Sequence, residues 1–360
     1  MPQRNKPKKT QQNQTNMQTK SLSMRRAISA ALFVLLLSVT GTKNALAQNQ
    51  VATLQHNDTI TGVFYGQNAF VSAHNAAVDG DVVTLSSGTF NNCSITKSVT
   101  IRGAGCVLDT VTNVLPTIIP GSFYIGRSNI TFEGICFTEE IKIPNGASNY
   151  SYISFVKCNI NKIINYYSPQ FPQKFCQFNN CIINNFSSSS FHGTSIINSV
   201  VRFTTYVQND IYNPTNIYNS VIVFDNALSI NNIVAYNSII ATASEHNVSN
   251  NTFFNCINIK TGETSLFEGQ LNTSNMEVNN YSEVFETFDG TISYDNIYQL
   301  KNDIATGFLG HDGTEVGIYG GIMPYKTRPS NMILKNCNVA GQTDENKKLN
   351  VEMELFGPEE

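Results

Sequence analysis

The sequence predicts an all-β protein, a right-handed single-stranded parallel β-helix (a pectin-lyase-like solenoid) in which short strands stack coil upon coil. Three observations predict it: a short unit returns at a nearly constant spacing, apolar residues alternate within it, and Asn punctuates most copies. The copies lie between Ile101 and Ile259. In chain order they are Phe132-Glu-Gly134-Ile135, Phe155-Val-Lys157-Cys158, Phe178-Asn-Asn180-Cys181, Ile196-Ile-Asn198-Ser199, Ile217-Tyr-Asn219-Ser220, Ala235-Tyr-Asn237-Ser238 and Phe253-Phe-Asn255-Cys256.

The third residue of each unit predicts a corner of the coil. Successive third residues are 23, 23, 18, 21, 18 and 18 positions apart. Asn tolerates left-handed backbone, and its amide can bond to the same amide one coil away. We therefore expect a structural ladder of Asn180, Asn198, Asn219, Asn237 and Asn255. The fourth residue is Cys or Ser in six units, which suits a tight inward corner.

An apolar residue three places after each corner predicts a second row of core side chains. A single coil cannot bury its apolar side alone, so the coils must stack. The row ends where Asn258 replaces the expected apolar residue, which predicts the end of the regular rod. Its members are Phe137, Ile160, Ile183, Val201, Ile222 and Ile240.

Residues 1–47 predict a signal peptide with an extended basic region. Met24-Arg-Arg precedes an apolar run from Ala27 to Val39, and Ala45-Leu-Ala47 supplies a cleavage site. The true start is either Met1 or Met24. We expect an exported protein, periplasmic, outer-surface or secreted. No Cys follows the cleavage site, so a lipoprotein is not expected, and the apolar run is short for a membrane span. The alternative is an N-terminal membrane anchor.

Residues 67–79 predict a short helix that caps the open end of the rod. Phe70, Ala73, Ala77 and Val78 fall on one helical face. Such a cap would cover strand edges that otherwise invite aggregation.

Two stretches resemble a known superfamily. The first stretch resembles the opening of pectate-lyase-like parallel β-helix proteins. It consists of Gly80-Asp-Val-Val-Thr-Leu-Ser-Ser-Gly88-Thr-Phe90 and Ile95-Thr-Lys-Ser-Val-Thr-Ile101-Arg-Gly103-Ala-Gly105. The second stretch is similar to the closing segment of exported β-helix proteins of Bacteroidetes-type bacteria. It is Gly310-His-Asp312-Gly-Thr-Glu315-Val-Gly317-Ile-Tyr-Gly320-Gly321. The resemblance implies a β-helix over residues 48–321, cap and closing segment included. It implies no single activity, because the superfamily contains lyases, hydrolases, epimerases and adhesins.

The last part of the chain departs from the repeat. Residues 261–300 are more acidic and predict irregular final coils and loops. Residues 322–360 predict a strand pair packed on the rod, with strands over Met332–Val339 and Lys348–Leu355.

Charged residues are scarce where a catalytic groove would lie. Between residues 150 and 260 there are 8 charged residues against 21 Asn. A lyase needs a base and a means of neutralising the uronate, and a hydrolase needs two carboxyls. The candidates for a catalytic site are Arg202, Asp210 and Asp225, and the alternative is that these are scattered solvated charges. The prediction therefore leans towards a protein that is not an enzyme.

Aromatic and amide side chains suggest binding instead. Tyr presents an apolar ring with a polar tip, and Asn offers donors and acceptors to a glycan. The candidate binding residues are Tyr166, Tyr167, Tyr206 and Tyr212. The alternative is that outward tyrosines such as Tyr218 and Tyr236 form a stacked ladder that only stabilises the rod.

No cofactor is expected. If a metal is bound, Ca²⁺ held by Asp312 and Glu315 is the candidate, and a purely structural turn is the alternative. The eight Cys permit disulfides in an exported protein, for example Cys93 with Cys106, or act as small buried residues. The formal net charge of −3 gives no indication of nucleic-acid binding.

Three functions follow from the sequence. The first is an exported, non-catalytic protein of the cell envelope that binds a polysaccharide, a surface glycan or a surface partner. The second is a polysaccharide lyase or glycoside hydrolase. The third is an adhesin-like spacer.

Overall fold

Two long, mainly parallel sheets build the protein, and the chain passes from one to the other once per coil. A computed structural model describes residues 50–110, 113–143, 150–165, 173–187, 191–205, 207–208, 212–225, 229–242, 247–260, 265–326, 333–343 and 348–356. All of these belong to one compact unit. The predicted solenoid is confirmed, with about 8 turns.

The first sheet begins with an antiparallel hairpin and continues as parallel strands. Its members are β1 (Val51–His56), β2 (Thr59–Tyr65), β3 (Val82–Leu85), β5 (Thr100–Arg102), β8 (Ile130–Glu133), β10 (Ile153–Val156), β13 (Gln177–Asn179), β16 (Ser195–Ile197), β19 (Thr215–Tyr218), β22 (Ile233–Tyr236), β25 (Thr252–Phe254) and β27 (Leu271–Thr273).

The second sheet is parallel throughout. Its members are β4 (Gly88–Thr89), β6 (Thr117–Ile119), β7 (Phe123–Tyr124), β9 (Ile135–Ile143), β11 (Asn159–Asn165), β14 (Ile182–Ser187), β17 (Val200–Phe203), β20 (Val221–Phe224), β23 (Ile239–Thr242), β26 (Ile257–Lys260) and β28 (Met276–Val278). Short third-side pairings involve β12 (Gln173–Lys174) with β15 (Phe191–His192), and β18 (Val207–Gln208), β21 (Ser229–Asn231) and β24 (Asn247–Ser249).

The strand register confirms the repeat alignment residue by residue. Phe132 lies beside Phe155 and Phe155 beside Phe178, and their rings stack inside the rod with centroids 5.1 and 5.3 Å apart. In the second sheet Ile160 lies beside Ile183. These inward residues are fully buried in one continuous core. The alternating pattern therefore does what period-two side-chain geometry requires.

The Asn corners adopt the left-handed backbone that the sequence predicts. All five ladder residues have φ between 44° and 55°. Asn relieves the strain of this conformation better than other residues with a Cβ. A second left-handed corner precedes the first-sheet strands, at Asn129, Tyr152, Phe175, Gly193, Asn232, Asn250 and Gly269. Sequence reasoning missed this corner because its residue types vary from coil to coil.

The small residue after each Asn forms a hydrogen-bonded corner. Ser220 Oγ donates to the Tyr218 carbonyl at 2.7 Å and accepts the Ser199 N–H at 3.2 Å. The same bond to the carbonyl two residues back recurs at Cys181 and Ser238. A buried backbone N–H needs a partner, and this side chain supplies it from the next coil.

The N-terminal cap is larger than predicted. A helix, α1 (Ala69–Ala76), is present, and Phe70, Ala73 and Ala77 are buried. Val78 was wrongly placed on its buried face, because the helix ends at Ala76 and Val78 is 53% exposed. The β1–β2 hairpin was not predicted.

The rod continues for one coil beyond the predicted break. β27 and β28 pair in register with β25 and β26. Ser274 takes the left-handed corner at φ 56°, and Asn275 Oδ1 accepts the Cys256 N–H, so the two residue types are exchanged. Asn258 points inward, fully buried, and its amide donates to Glu277 at 3.2 Å. The polar residue Asn258 in the inward row therefore marks the penultimate coil, not the last one.

A covering segment, residues 279–326, packs on the outside of the second sheet. It contains two short helices, α2 (Tyr281–Val284) and α3 (Asn302–Gly307). Its buried side chains make a second apolar core with outward residues of the sheet. The segment contributes Val284, Phe285, Phe288, Ile292, Tyr298, Leu300, Val316 and Ile318. Burying a Val, Ile or Phe side chain contributes about 1.5–3 kcal/mol.

The covering segment is fastened to the Asn ladder. The Asn255 amide donates to the Leu309 carbonyl, Asn237 Oδ1 accepts the His311 N–H, and Asn180 Oδ1 accepts the Lys326 N–H. Within the ladder, Asn237 and Asn219 share a bond of 3.4 Å. A Cβ at Gly310 would lie 2.7 Å from Asn237 Cγ, so glycine is needed there. The side chains of the predicted Asn ladder therefore bind mainly the backbone of the covering segment, and one amide-to-amide bond is present within the ladder.

Beyond the covering segment, β29 (Ile333–Thr343) and β30 (Leu349–Phe356) form the predicted antiparallel strand pair. The packing of this pair on the rod stays a prediction. Among the described helices, none has the length and apolar character needed to cross a membrane. The seven described thiols, from Cys93 to Cys256, are free, so Cys93 and Cys106 are not joined.

Candidate functional site

The outer face of the second sheet changes from polar to apolar along the rod. In the late coils its outward residues are Val221, Ile239 and Ile257, all buried under the covering segment. In the early coils the same register positions hold Cys136 and Asn159. The covering segment therefore protects the apolar part of this face.

A pocket of about 540 Å³ opens on the polar part of the face. Its volume lies within the range of small-molecule sites. The polar floor consists of second-sheet side chains: Cys136, Thr138, Asn159, Asn161 and Asn184. The largely apolar wall consists of Val107, Leu108, Pro116, Ile118 and Tyr294. Asp295, next to Tyr294 in the covering segment, also lines the pocket.

Two amide oxygens in the floor are buried without a partner. Asn159 is only 6% exposed, and its Nδ2 donates to Cys136 Sγ at 3.7 Å. Neither Asn159 Oδ1 nor Asn184 Oδ1 has a hydrogen-bond partner among the described residues. A buried acceptor without a partner costs about 1–3 kcal/mol. Because Asn159 and Asn184 line the pocket, a ligand that donates hydrogen bonds to their amides would relieve this cost.

The pocket has few groups suited to acid–base or nucleophilic chemistry. Asp295 is the one carboxylate among its described lining residues, whereas glycoside hydrolysis uses two. Burial raises the pKa of the Cys136 thiol to about 11, and it raises the pKa of the Cys106 thiol further, so both thiols stay protonated near neutral pH. The arrangement favours binding over turnover.

The structure brings two of the three catalytic candidates together. Arg202 and Asp225 form an ion pair at 3.3 Å, and Arg202 also donates to the Gly290 carbonyl of the covering segment at 2.7 Å. Arg202 thus binds the covering segment. Asp210 lies outside the described residues. Neither Arg202 nor Asp225 lines the pocket.

The tyrosine candidates do not assemble into a site within the described part of the chain. Tyr212 is described and is 84% exposed. Tyr166, Tyr167 and Tyr206 lie outside the described residues.

The outward tyrosines Tyr218 and Tyr236 do form a stacked ladder on the outside of the rod. Tyr218 and Tyr236 stack with centroids 5.4 Å apart and planes 5° apart, and Phe254 continues the stack at 4.9 Å. Their ring faces contact one another, so the inner faces of the stack are closed to a sugar.

Of the two proposed metal ligands, Asp312 forms hydrogen bonds within its own turn. Although partial burial opposes it, hydrogen bonds from the Thr314 hydroxyl and N–H lower the pKa of Asp312 below its ordinary value. Asn219 of the ladder also bonds to Asp312. Burial raises the pKa of Glu315. Throughout the described ranges, no three His, Cys, Asp or Glu side chains are grouped as metal ligands.

Sequence reasoning proposed none of the pocket residues as part of a functional site. A usable signal was present, because the outward positions of β20, β23 and β26 are all apolar while β11 and β14 carry outward Asn. A strand that is apolar on both faces must be buried on both. The late coils therefore required a cover, and the early coils did not.

Comparison with known proteins leaves the family open. No protein-family model, no curated protein and no solved structure matches this chain. The resemblance to pectate-lyase-like proteins is therefore supported only at the level of the solenoid. This chain is a parallel β-solenoid with a covered and an open outer face.

Proposed function

We propose that this protein is an exported, non-catalytic β-solenoid of the cell envelope that binds a saccharide in the pocket between Asn159 and Tyr294. One observation carries the proposal: two buried amide oxygens without partners among the described residues belong to side chains that line a pocket with a largely apolar wall. A sugar ring offers hydroxyl donors at its edge, which suit the amide oxygens, and an apolar C–H face, which suits the apolar wall. Export rests on residues 1–47, and membership of the pectate-lyase-like superfamily rests on the two resembling stretches.

The carbohydrate enzyme is the weaker alternative. It would need a second carboxyl within reach of Asp295, and the described pocket lining contains none. The spacer alternative leaves the two amide oxygens and the pocket without a purpose.

Binding tests the proposal directly. Purified protein is screened on a glycan array, and the saccharides retained are measured by calorimetry with Asn159→Leu, Asn184→Ala and Asn216→Ala variants. Asn216 is the matched control, since it is a half-buried outward Asn on the first sheet, remote in the fold from the pocket. Each lost hydrogen bond contributes about 0.5–1.5 kcal/mol, so each pocket variant should weaken binding roughly two- to tenfold.

Three results would overturn the proposal or its pocket assignment. One is the absence of saccharide binding, or binding that the Asn159 and Asn184 variants leave unchanged. Another is turnover of a glycan, measured as new reducing ends or unsaturated uronate, that disappears in Arg202→Ala, Asp225→Ala or Asp295→Asn. If Tyr212→Ala alone abolishes binding, the ligand lies on the tyrosine loops and the pocket assignment is wrong.

A further inference from the structure

The charges around the pocket point to the kind of saccharide it takes. Among the described residues, Asp295 is the one charged side chain that lines it, and no Lys, Arg or His does. Two basic residues of the same sheet are engaged elsewhere: Lys162 pairs with Glu140 at 2.7 Å, and Arg202 pairs with Asp225. A carboxylate ligand would therefore find no cation in the described lining to neutralise it.

The polar floor also disfavours a ligand that carries a carboxylate. Asn159 Oδ1 and Asn184 Oδ1 are acceptors without partners in the described structure, and Asp295 adds a carboxylate acceptor. A ligand rich in donors can satisfy more of these three acceptors than a ligand that carries acceptors alone. An anionic sugar would add a fourth acceptor and bury an unpaired charge, which is costly. An ammonium group supplies three donors and a positive charge.

Resting on the proposed function, we propose that the pocket selects amino sugars with a free amine, accepts neutral sugars and rejects uronates. Asp295 is the specificity residue, and it pairs with the ligand ammonium at the rim. Asn159 and Asn184 bind hydroxyls of either class. This selectivity is opposite to that of a site built to hold a polyuronate.

Asp295 is suited to this role because its carboxylate is accessible. The residue is exposed, and the described residues include no ion-pair partner for it. Its backbone N–H, not its carboxylate, forms the local turn by donating to Ser293 Oγ at 3.2 Å. Replacing the carboxylate should therefore leave the loop intact.

Calorimetry of the full chain with three probes tests the inference. The probes are tetrasaccharides of glucosamine, glucose and galacturonate at about pH 6, where an amine with a pKa near 8 is protonated. We expect the glucosamine probe to bind roughly 1.4- to fivefold more tightly than the glucose probe, as an exposed ion pair contributes about 0.2–1 kcal/mol. The galacturonate probe should bind most weakly. The preference should shrink in about 0.5 M salt, because screening weakens exposed pairs.

The variants separate the specificity residue from net charge. Asp295→Asn should bind glucosamine and glucose probes equally and keep its affinity for glucose. Asp289→Asn removes the same charge from the same loop outside the pocket, and it should keep the preference. The inference alone fails if galacturonate binds as well as glucose, or if Asp295→Asn retains the amine preference. If none of the probes binds, the saccharide function fails with it.

Discussion

Asn198 offers the sharpest test of how the covering segment is held. Its Nδ2 donates to the Ile318 carbonyl at 2.9 Å and to the Gly320 carbonyl at 2.8 Å, both in buried surroundings. Its backbone is left-handed, with φ 44°. Asn198→Gly keeps the backbone and removes both bonds, which should cost about 2 kcal/mol in unfolding free energy. Asn198→Ala adds a left-handed penalty of about 1–2 kcal/mol, for a total of about 3–4 kcal/mol.

Urea unfolding followed by circular dichroism and tyrosine fluorescence measures the global effect, since the chain has no Trp. Hydrogen exchange at the Gly317 and Tyr325 amides measures local opening, because the first donates to the Asn237 carbonyl and the second closes a turn within the segment. Asn255→Gly is the control. Its bond to Leu309 is exposed and 3.3 Å long, so a loss below about 1 kcal/mol is expected.

The reasoning would be refuted in two ways. If Asn198→Gly unfolds like the parent protein and the Gly317 amide exchanges no faster, the Asn side chains do not hold the segment. If the Gly and Ala variants are equally unstable, the left-handed corner does not explain why Asn occupies it.

Three further predictions address the corner, the cover and the cap. Ser220→Ala leaves the Ser199 N–H without its partner and should cost about 1–3 kcal/mol in urea unfolding; Ser220→Cys should cost less, as cysteine fills equivalent corners, and equal losses would contradict this role. Arg202→Met removes the bond to Gly290, so limited proteolysis should cut the covering segment sooner than in the parent, and an unchanged cleavage rate would contradict the anchoring role. Burial and a neighbouring lysine charge lower the pKa of His74, so the unfolded chain takes up its proton more readily and stability should fall as pH drops below about 6.5. Melting temperatures at about pH 7.5 and 5.5 should show a smaller drop for His74→Gln, and an equal drop would contradict this.

The coil itself was predictable because its signals are local and repeated. Residues such as Phe155 and Ile160 alternate with period two, and each coil repeats the same positions about 20 residues later. The five Asn corners and the Phe132–Phe155 pairing followed from this spacing and are confirmed. Errors arose where the residue types were exchanged, as in the last coil at Ser274 and Asn275, or where the helix ended before Val78.

The site was not predictable in the same way, because its parts come from distant points of the chain. Leu108, Asn159 and Tyr294 meet only because the cover folds back over the sheet. The scarcity of charged residues did favour a binding site of polar, uncharged side chains over a catalytic one.

The sequence by itself determined the solenoid, its corners and its register, since each depends on contacts between a residue and its copy in the next coil. Only the tertiary structure decided which outer face is covered and which is open. The bond from Asn198 to Ile318 spans 120 residues and lies outside the repeat, so it leaves no periodic trace in the sequence. The pocket exists where that cover ends, and its position depends on how far the covering segment reaches along the sheet.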